Sequence, residues 1–158
     1  MKRILTWLLI IITFLCSCKG TEEAISYEGS LSCKLTVKCD TVLGNIDKLN
    51  KDKAELIPEN GILLENEEVL FEDGASVFDI LTVACRKNKI IVNTKKNTGS
   101  GTVYIEGINN LIYGDCGELS GWMFFVNGKS AEEAADKLIV KDGDIIEWLY
   151  TCDMGNDL

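Results

Sequence analysis

Apolar and polar residues alternate along the first strand-like segment of the chain, Ser32 to Cys39. A period of two is typical of a strand with one buried face. Two later segments, Trp122 to Val126 and Ile145 to Cys152, instead carry apolar side chains on both faces. Because a strand that is apolar on both sides must be covered on both sides, the pattern predicts that these two segments lie between layers.

The clearest helix is predicted to begin after Ser76. Ser76 and Asp79, three residues later, form a capping box, and the apolar residues that follow recur at helical spacing. A second, short helix is predicted after Ser130, which has Glu133 at the third position. We assign the apolar stripe of the first helix to the core rather than to a ligand site; it consists of Val77, Ile80, Leu81, Ala84 and Cys85.

The remaining turn and strand signals in the sequence predict an α+β fold. A short surface helix is predicted within Thr41 to Leu56, and Asp142-Gly143 is predicted to join Leu138–Val140 with Ile145–Tyr150 in a tight hairpin. One main helix among mostly antiparallel strands resembles a β-grasp arrangement, in which one face of the sheet is covered by the helix and the other is open. Further strands are predicted at Glu68–Glu72, Lys89–Val92 and Thr102–Glu106.

The N-terminus resembles a cleaved bacterial export signal. Lys2 and Arg3 precede an apolar run from Ile4 to Leu15, which is shorter than the roughly 20 residues needed to cross a bilayer. The run ends in a sequence that resembles a lipobox, in which Ser17 precedes the candidate lipidation site Cys18. Secretion without lipidation is the alternative.

This signal divides the chain into three predicted regions. They are a lipoprotein signal peptide at residues 1–17, a polar, flexible spacer at 18–30 and a domain at 31–158. A diacylglycerol on Cys18 would supply two acyl chains, which is enough for stable anchoring. We therefore expect a protein held in the cell membrane by lipid, with its domain on the extracytoplasmic face.

The charge of the chain argues against one class of partner. The formal net charge is −9, and it becomes −11 when the signal peptide, with the two positive charges of Lys2 and Arg3, is removed. Binding to nucleic acid requires a clustered basic surface, and none is visible in the sequence. We expect no nucleic-acid partner.

Five cysteines follow the spacer: Cys33, Cys39, Cys85, Cys116 and Cys152. On the outer side of a membrane, they are expected to form two disulfides and to leave one thiol. A zinc site is the alternative, but the cysteines lack the close spacing of a zinc knuckle and the chain contains no histidine. We expect no metal site, and no catalytic site either, because serine and cysteine nucleophiles usually need a neighbouring histidine base.

Four motifs in the C-terminal part resemble a known family: YIEGINNL, DCGELSGW, VNGK and DGDIIEWLYTCD. Together they resemble the C-terminal domain of transcobalamin and intrinsic factor, in the reduced form found on bacterial surface proteins and often described as a domain of unknown function. The resemblance covers most of residues 31–158 and implies a corrinoid ligand such as cobalamin, with no covalently bound cofactor. One segment departs from the family pattern, since SAEEAADK follows VNGK where many relatives have a short loop with glycine.

Two disulfides are predicted. Cys116 and Cys152 flank the two aromatic strands, so a bridge between them would clamp neighbouring elements. A second bridge between Cys39 and Cys85 agrees with the pattern of the family. Cys33 would then remain as the unpaired thiol.

The aromatic strand that ends at Asn127 is the predicted binding surface. A corrin ring has apolar edges and a rim of amides, so Trp122 would lie against the ring and Asn127 would reach an amide. Without histidine, the chain cannot coordinate cobalt through imidazole. Alternatively, loops at Asp40–Gly61 and Asn97–Gly101 cover this surface. The candidate ligand-binding residues are Gly121, Trp122, Phe124, Asn127 and Tyr150.

Two functions from different classes remain open. The first is a binding protein that captures a small-molecule ligand, cobalamin or a related corrinoid, for uptake. The second is a cell-surface interaction module whose aromatic face docks a partner protein or a glycan. An exposed apolar patch would serve either function, because such patches on soluble domains usually mark an interaction site.

Overall fold

The computed structural model describes residues 29–158 of the chain. The predicted signal peptide, the lipidation site Cys18 and most of the predicted spacer lie outside these residues. Within residues 29–158, no helix is long and apolar enough to cross a membrane.

The described part of the chain forms eight β-strands, one α-helix and two short 3-10 helices. The fold is therefore α+β, mostly sheet with one main helix, as the sequence predicts. The elements in chain order are β1 (Leu31–Lys38), 3-10 helices at Asp40–Gly44 and Lys51–Leu56, β2 (Ile62–Phe71), α1 (Val77–Lys87), β3 (Val92–Lys96), β4 (Val103–Ile108), β5 (Leu111–Ile112), β6 (Gly121–Val126), β7 (Lys129–Ser130) and β8 (Ile145–Thr151).

These strands form two sheets. The larger sheet has the order β2-β1-β8-β6-β7, and the smaller sheet has the order β3-β4-β5. Paired strands are antiparallel except for β1 and β8, which run parallel and align Leu35 with Ile146 and Val37 with Trp148. The predicted alternation of β1 is confirmed, since Cys33, Leu35 and Val37 are all buried.

Helix α1 begins at the predicted capping box. The Ser76 backbone N–H donates to Asp79 Oδ2 at 2.9 Å, and the Asp79 backbone N–H donates to Ser76 Oγ at 3.2 Å. The five apolar residues of the predicted stripe are buried. Since α1 contacts β1 and β2, this stripe and the inward-facing side chains of the larger sheet together form the core.

Helix α1 and the smaller sheet both pack on the same face of the larger sheet. Helix α1 lies against β1 and β2, while β4 of the smaller sheet contacts β6. The opposite face is only partly covered, because Phe125 and Leu149 are half-buried and Ile145 is exposed. The smaller sheet thus provides much of the cover that the apolar pattern of β6 and β8 requires.

The predicted second helix after Ser130 is wrong. Lys129 and Ser130 form β7, which pairs with β6 across a tight turn at Asn127-Gly128, where both residues have positive φ. The residues that follow form turns, and the Lys137 backbone N–H donates to Ala134 O at 2.9 Å. Pairing with β6 holds Ser130 in an extended conformation, so its helix-capping signal is not used.

The predicted hairpin at Asp142-Gly143 is also wrong. Gly143 does lie in a turn, with a φ of 80°. The strand that follows, β8, pairs with β1 and β6 instead of with Leu138–Val140. Val140 turns towards the start of α1, where its backbone N–H donates to Ala75 O at 2.9 Å. Because β8 has a strand on each side, it has no free edge for a local hairpin partner.

Three further predictions are wrong in type or in boundary. Thr41–Leu56 contains two 3-10 helices instead of an α-helix, β2 begins at Ile62 instead of Glu68, and β3 begins at Val92 instead of Lys89. Lys89 has a φ of 58°, and the Ile90 backbone N–H donates to Cys85 O at 2.8 Å. These residues therefore end α1 in a turn before the chain can enter the smaller sheet.

Candidate functional site

Aromatic side chains of β6 and β8 form one wall of the candidate site. Phe124 and Trp148 are register partners, and their rings stack with centroids 4.9 Å apart and 26° between the planes. Directly opposed residues of antiparallel strands lie on the same face of a sheet, so this stack follows from the register. Trp148 is only 2% exposed, whereas Phe124 is half-buried.

Trp122 and Tyr150 form the next aromatic pair along these strands, with ring centroids 5.3 Å apart and 71° between the planes. Trp122 Nε1 donates to Leu111 O at 2.8 Å, and the Tyr150 hydroxyl donates to Ile112 O at 2.7 Å. Tyr150 is completely buried, and this burial raises the pKa of its hydroxyl above the ordinary value. The pair therefore ties the larger sheet to β5 of the smaller one.

A cavity of about 270 Å³, called the main cavity below, lies between this aromatic wall and the smaller sheet. Trp122, Phe124 and Trp148 line it from the larger sheet. Among the described residues that line this cavity none is charged, so it suits a neutral group. The other lining residues belong to the turn before β4, to β4 itself and to the segment after β7: Asn97, Thr102, Val103, Tyr104, Ile105, Ala134 and Ala135.

Trp148, which lines the main cavity, carries a buried polar group. Its indole Nε1 is buried and has no hydrogen-bond partner in the protein. A buried donor in this state costs about 1–3 kcal/mol. The sequence carries no signal for this feature, because the partner of an indole N–H depends on which groups the tertiary fold brings to it.

A second, shallower cavity of about 430 Å³ is lined by Tyr104, Glu106, Ile112 and Tyr113, and we call these four residues the aromatic face. Tyr104 is 51% exposed and Tyr113 is 62% exposed. Tyr104 lines both cavities, so the two are neighbours on β4. None of these four residues is among the predicted ligand residues. The sequence signal that could have identified Tyr104 is the alternation of β4, in which Tyr104 and Glu106 flank the buried Ile105.

Asp115 fixes the loop that carries Tyr113. Its Oδ2 accepts a hydrogen bond from the Ile112 backbone N–H at 2.8 Å and lies 3.5 Å from Lys53 Nζ. Its Oδ1 accepts from Asn50 Nδ2 at 2.8 Å. This buried carboxylate thus joins the loop to the second 3-10 helix. Its hydrogen bonds fix the backbone next to the exposed Tyr113.

The predicted ligand residues lie in different environments. Trp122 and Phe124 line the main cavity. Gly121 lies beside the aromatic face, where a Cβ added to it would be 3.4 Å from the Tyr113 ring. Tyr150 lies in the core behind both surfaces, and its hydroxyl is engaged by protein atoms.

Asn127 lies at the opposite end of β6 from Trp122. Its Nδ2 donates to Asp144 Oδ1 at 2.8 Å, and its Oδ1 accepts from the Ile145 backbone N–H at 3.0 Å. It borders a separate cavity of about 180 Å³. The structure therefore uses the Asn127 amide to hold the turn before β7 and does not bring it into the main cavity.

The five cysteines of the domain are buried free thiols, so neither predicted disulfide is present in the structure. Cys116 Sγ donates to Asn45 O at 3.4 Å, and Cys152 Sγ donates to Thr41 Oγ1 at 3.9 Å. Burial raises the pKa of Cys116 and of Cys39, and the nearby Cys152 contributes to both shifts. Cys85 belongs to the buried stripe of α1, and burial raises its pKa to about 12. The neighbours of Cys152 are therefore Cys39 and Cys116. No group of three potential metal ligands within residues 29–158 is arranged to hold an ion.

The C-terminal part of the chain matches a described family. Residues 74–151 match "Domain of unknown function (DUF4430)". The matched residues run from the turn before α1 through β8 and include both the main cavity and the aromatic face. Among curated protein sequences, nothing matches the chain.

Solved structures with a similar fold include haptocorrin in complex with Cbi, with a TM-score of 0.51 and 15% sequence identity over 80% of this chain and 26% of that one. The chain thus spans about a quarter of the length of haptocorrin. A proposed metal-binding protein from Ruminococcus gnavus ATCC 29149 has a TM-score of 0.46 and 16% identity, over 77% of this chain and 96% of that one. The family match and the shared fold with haptocorrin confirm the predicted resemblance to a transcobalamin-like domain of unknown function.

Proposed function

We propose that this protein is a membrane-anchored, extracytoplasmic binding protein that captures cobalamin or a related corrinoid for uptake. The observation that carries this proposal is the pair of neighbouring cavities, the main cavity and the aromatic face, which share the lining residue Tyr104. The fold shared with haptocorrin, whose structure contains Cbi, supports the choice of ligand. The order of the larger sheet, with its single parallel pair and one covering helix, supports the finer assignment of a β-grasp arrangement.

The aromatic face has the mixture of groups that a corrinoid would contact. The ring edge of a corrinoid carries methyl groups, and its rim carries amides. Tyrosine offers a flat apolar ring with a polar tip, so Tyr104 and Tyr113 would pack against the ring edge and reach amides with their hydroxyls. Ile112 adds aliphatic surface between them, and the Glu106 carboxylate can accept a hydrogen bond from an amide N–H.

Cobalt would keep its own axial ligands in this site. The chain contains no histidine, so it has no imidazole that could replace them. Recognition would depend on contacts to the ring and to the amides. Binding should therefore change tryptophan fluorescence, because Trp122 and Trp148 line the main cavity, while it leaves the corrin absorbance spectrum nearly unchanged.

A titration of the full chain in detergent with dicyanocobinamide and with cyanocobalamin tests this proposal. We expect saturable quenching of tryptophan fluorescence and a loss of affinity of at least about tenfold in Tyr104→Ala, corresponding to about 1.4 kcal/mol. Leu70→Ala is the matched control, because Leu70 is also an exposed apolar residue but lies on β2, at the far edge of the larger sheet. Absence of a saturable response at high micromolar corrinoid would contradict corrinoid capture.

Membrane anchoring is a separate part of the proposal. Diacylglycerol on Cys18 would hold the protein at the membrane, and the spacer at residues 18–30 would lift the domain from the surface. The domain is acidic, so anionic lipid would not retain it without the anchor. Cys18→Ala should release the exported protein from the membrane fraction. Retention of this variant at wild-type levels would contradict lipid anchoring.

A surface interaction module is the second candidate function. The exposure of both tyrosines of the aromatic face favours it, because exposed aromatic rings also pack against sugar rings and partner proteins. Binding of the full chain to a glycan array, lost in Tyr113→Ala and unaffected by dicyanocobinamide, would favour this function over corrinoid capture.

A further inference from the structure

The aromatic face combines two exposed tyrosine rings with one carboxylate. Tyr104 and Glu106 are two positions apart on β4 and flank the buried Ile105, so their side chains lie on the same face of the smaller sheet. The Tyr113 backbone N–H donates to Glu106 O at 3.2 Å, which places Tyr113 beside Glu106. Both tyrosines and Glu106 line the same cavity. Aromatic rings carry negative charge on their faces, so rings beside a carboxylate form a surface that attracts a cation.

The charges around this cavity favour a positive ligand. Glu106 is the one charged residue among the described residues that line it. Lys53, which lies near the same loop, is engaged by Asp115 Oδ2 at 3.5 Å and by Asn110 O at 2.9 Å. The net charge of the chain is −9, so the long-range field also attracts cations and repels phosphates and carboxylates.

A lysine of the protein already lies next to this carboxylate. Lys95 is the register partner of Tyr104, and its Nζ lies 3.8 Å from Glu106 Oε1. That separation is longer than a hydrogen bond, and the Lys95 side chain is 73% exposed. An exposed ion pair of this kind contributes little to stability, so a ligand cation can take the place of the lysine at Glu106. Lys87, in contrast, donates to Glu67 Oε1 at 2.7 Å.

The lining of the cavity selects among cations. A primary ammonium has three N–H donors, whereas Glu106 is the one carboxylate that the described lining offers. A methylated ammonium needs fewer acceptors, and its methyl groups can pack against both tyrosine rings and Ile112. The cavity volume of about 430 Å³ falls within the roughly 300–1,000 Å³ of small-molecule sites, so a small ion of this class fits.

We propose that the aromatic face binds a small, methylated organic ammonium ion, held by cation–π contacts with Tyr104 and Tyr113 and by the carboxylate of Glu106. The inference goes beyond corrinoid capture, because it assigns a charged ligand to this face and does not use the main cavity. Lys95 competes with the ligand for Glu106 and so limits the affinity of the site.

Choline and a neutral compound of the same shape test this site. In the ¹⁵N-labelled full chain, kept in a non-ionic detergent without a choline headgroup, choline should shift the backbone resonances of Tyr104, Glu106 and Tyr113 along a saturable curve. Neohexanol, in which a carbon replaces the charged nitrogen, should bind at least about fivefold more weakly. Ethanolamine, an unmethylated ammonium, should also bind more weakly than choline. Absence of a saturable shift at high millimolar choline, or equal affinity for choline and neohexanol, would overturn the site.

Variants of the Lys95–Glu106 pair should change choline affinity in opposite directions. Glu106→Gln should weaken choline binding at least about fivefold, and Lys95→Met should strengthen it at least about twofold because it removes the competing cation. The matched controls are Glu67→Gln and Lys87→Met, which alter a second Lys–Glu pair and should bind choline as the wild type does. Tyr113→Leu keeps an apolar side chain without a π face and should also weaken binding. Wild-type choline affinity in Glu106→Gln would overturn the role of the carboxylate, and weaker binding in Lys95→Met would overturn the competition.

The outcome for the ammonium site is separable from that for corrinoid capture. Choline binding by a chain that responds to neither dicyanocobinamide nor cyanocobalamin would retain the ammonium site and overturn corrinoid capture. Corrinoid binding without any choline response would retain capture and overturn the ammonium site.

Discussion

Phe124 stacks on Trp148, with 4.9 Å between the ring centroids and 26° between the ring planes. The two residues are register partners on β6 and β8, so the pairing of these strands sets the orientation of the indole. Phe124 thereby lines the main cavity and packs against the ring of Trp148.

Replacement of Phe124 by alanine should lower the free energy of unfolding by about 2–4 kcal/mol. The variant loses the aromatic stack and leaves a gap in the wall of the main cavity. Phe124→Leu keeps most of the volume and should lose only about 1 kcal/mol. Chemical denaturation of both variants measures the difference. Equal stability of Phe124→Ala and the wild type would show that the stack does not support the wall.

Removal of the Tyr150 hydroxyl should lower the free energy of unfolding by about 0.5–1.5 kcal/mol. This hydroxyl donates to Ile112 O at 2.7 Å and lies 3.0 Å from Ser120 Oγ, so Tyr150→Phe loses the contacts that tie β8 to β5 and to the loop before β6. Tyr113→Phe is the matched control, because Tyr113 is 62% exposed and its change should stay within about 0.5 kcal/mol. Identical unfolding curves for the two variants would exclude a structural role for the Tyr150 hydroxyl.

The stability of the reduced protein should fall as the pH rises from about 9 to about 12. Burial raises the pKa of Cys33, Cys39, Cys85 and Cys116 from 9.0 to about 12. A thiol with a higher pKa in the folded state stabilises the fold fully below its unfolded pKa, and this contribution is lost as the pH approaches the folded pKa.

Urea denaturation in reductant, at a series of pH values between about 8 and about 11, measures this loss. Cys85→Ala removes one of the four titrating thiols, so its stability should decline less steeply than that of the wild type. A wild-type stability that stays constant over this range would contradict the assigned shifts.

A disulfide between Cys116 and Cys152 should form when the protein is oxidised. Cys152 is near enough to Cys116 to contribute to the raised pKa of its thiol, so a local rearrangement of the two side chains can bring the sulfur atoms together. Closing the chain between them should add about 3–4 kcal/mol to the free energy of unfolding. Peptide mapping under non-reducing conditions identifies the bridge, and denaturation with and without reductant measures its effect.

Two cysteine variants separate this bridge from the alternatives. Cys116→Ser should remove most of the dependence of stability on reductant, whereas Cys85→Ser should retain it. A Cys39–Cys152 peptide as the main oxidised species would show that Cys152 prefers its other neighbour.

Local signals predicted the elements that depend on near neighbours. The capping box of Ser76 and Asp79 predicted the start of α1, and the alternation of Cys33, Leu35 and Val37 predicted the buried face of β1. Both features involve residues within a few positions of one another. At Ser130 the same kind of capping signal failed, because pairing with β6 overrides the local preference for a helix.

The candidate site was predicted in part. Trp122 and Phe124 were chosen for their aromatic character and do line the main cavity. Asn127 and Tyr150 were chosen from the same two strands, but the fold engages their polar atoms in protein hydrogen bonds. Whether a polar tip faces a ligand or a carbonyl of the protein depends on which segment packs against it, and sequence spacing does not specify that segment.

The sequence by itself determined the α+β class, the main helix, the aromatic strands and the family resemblance, because these follow from periodicity, local capping and motifs. Only the tertiary structure decided that β8 lies beside β1, that Tyr104 lines two cavities and that the indole N–H of Trp148 is buried without a protein partner. Those features arise where segments that are far apart in the sequence come into contact. Such contacts produce no periodic pattern of residues along the chain.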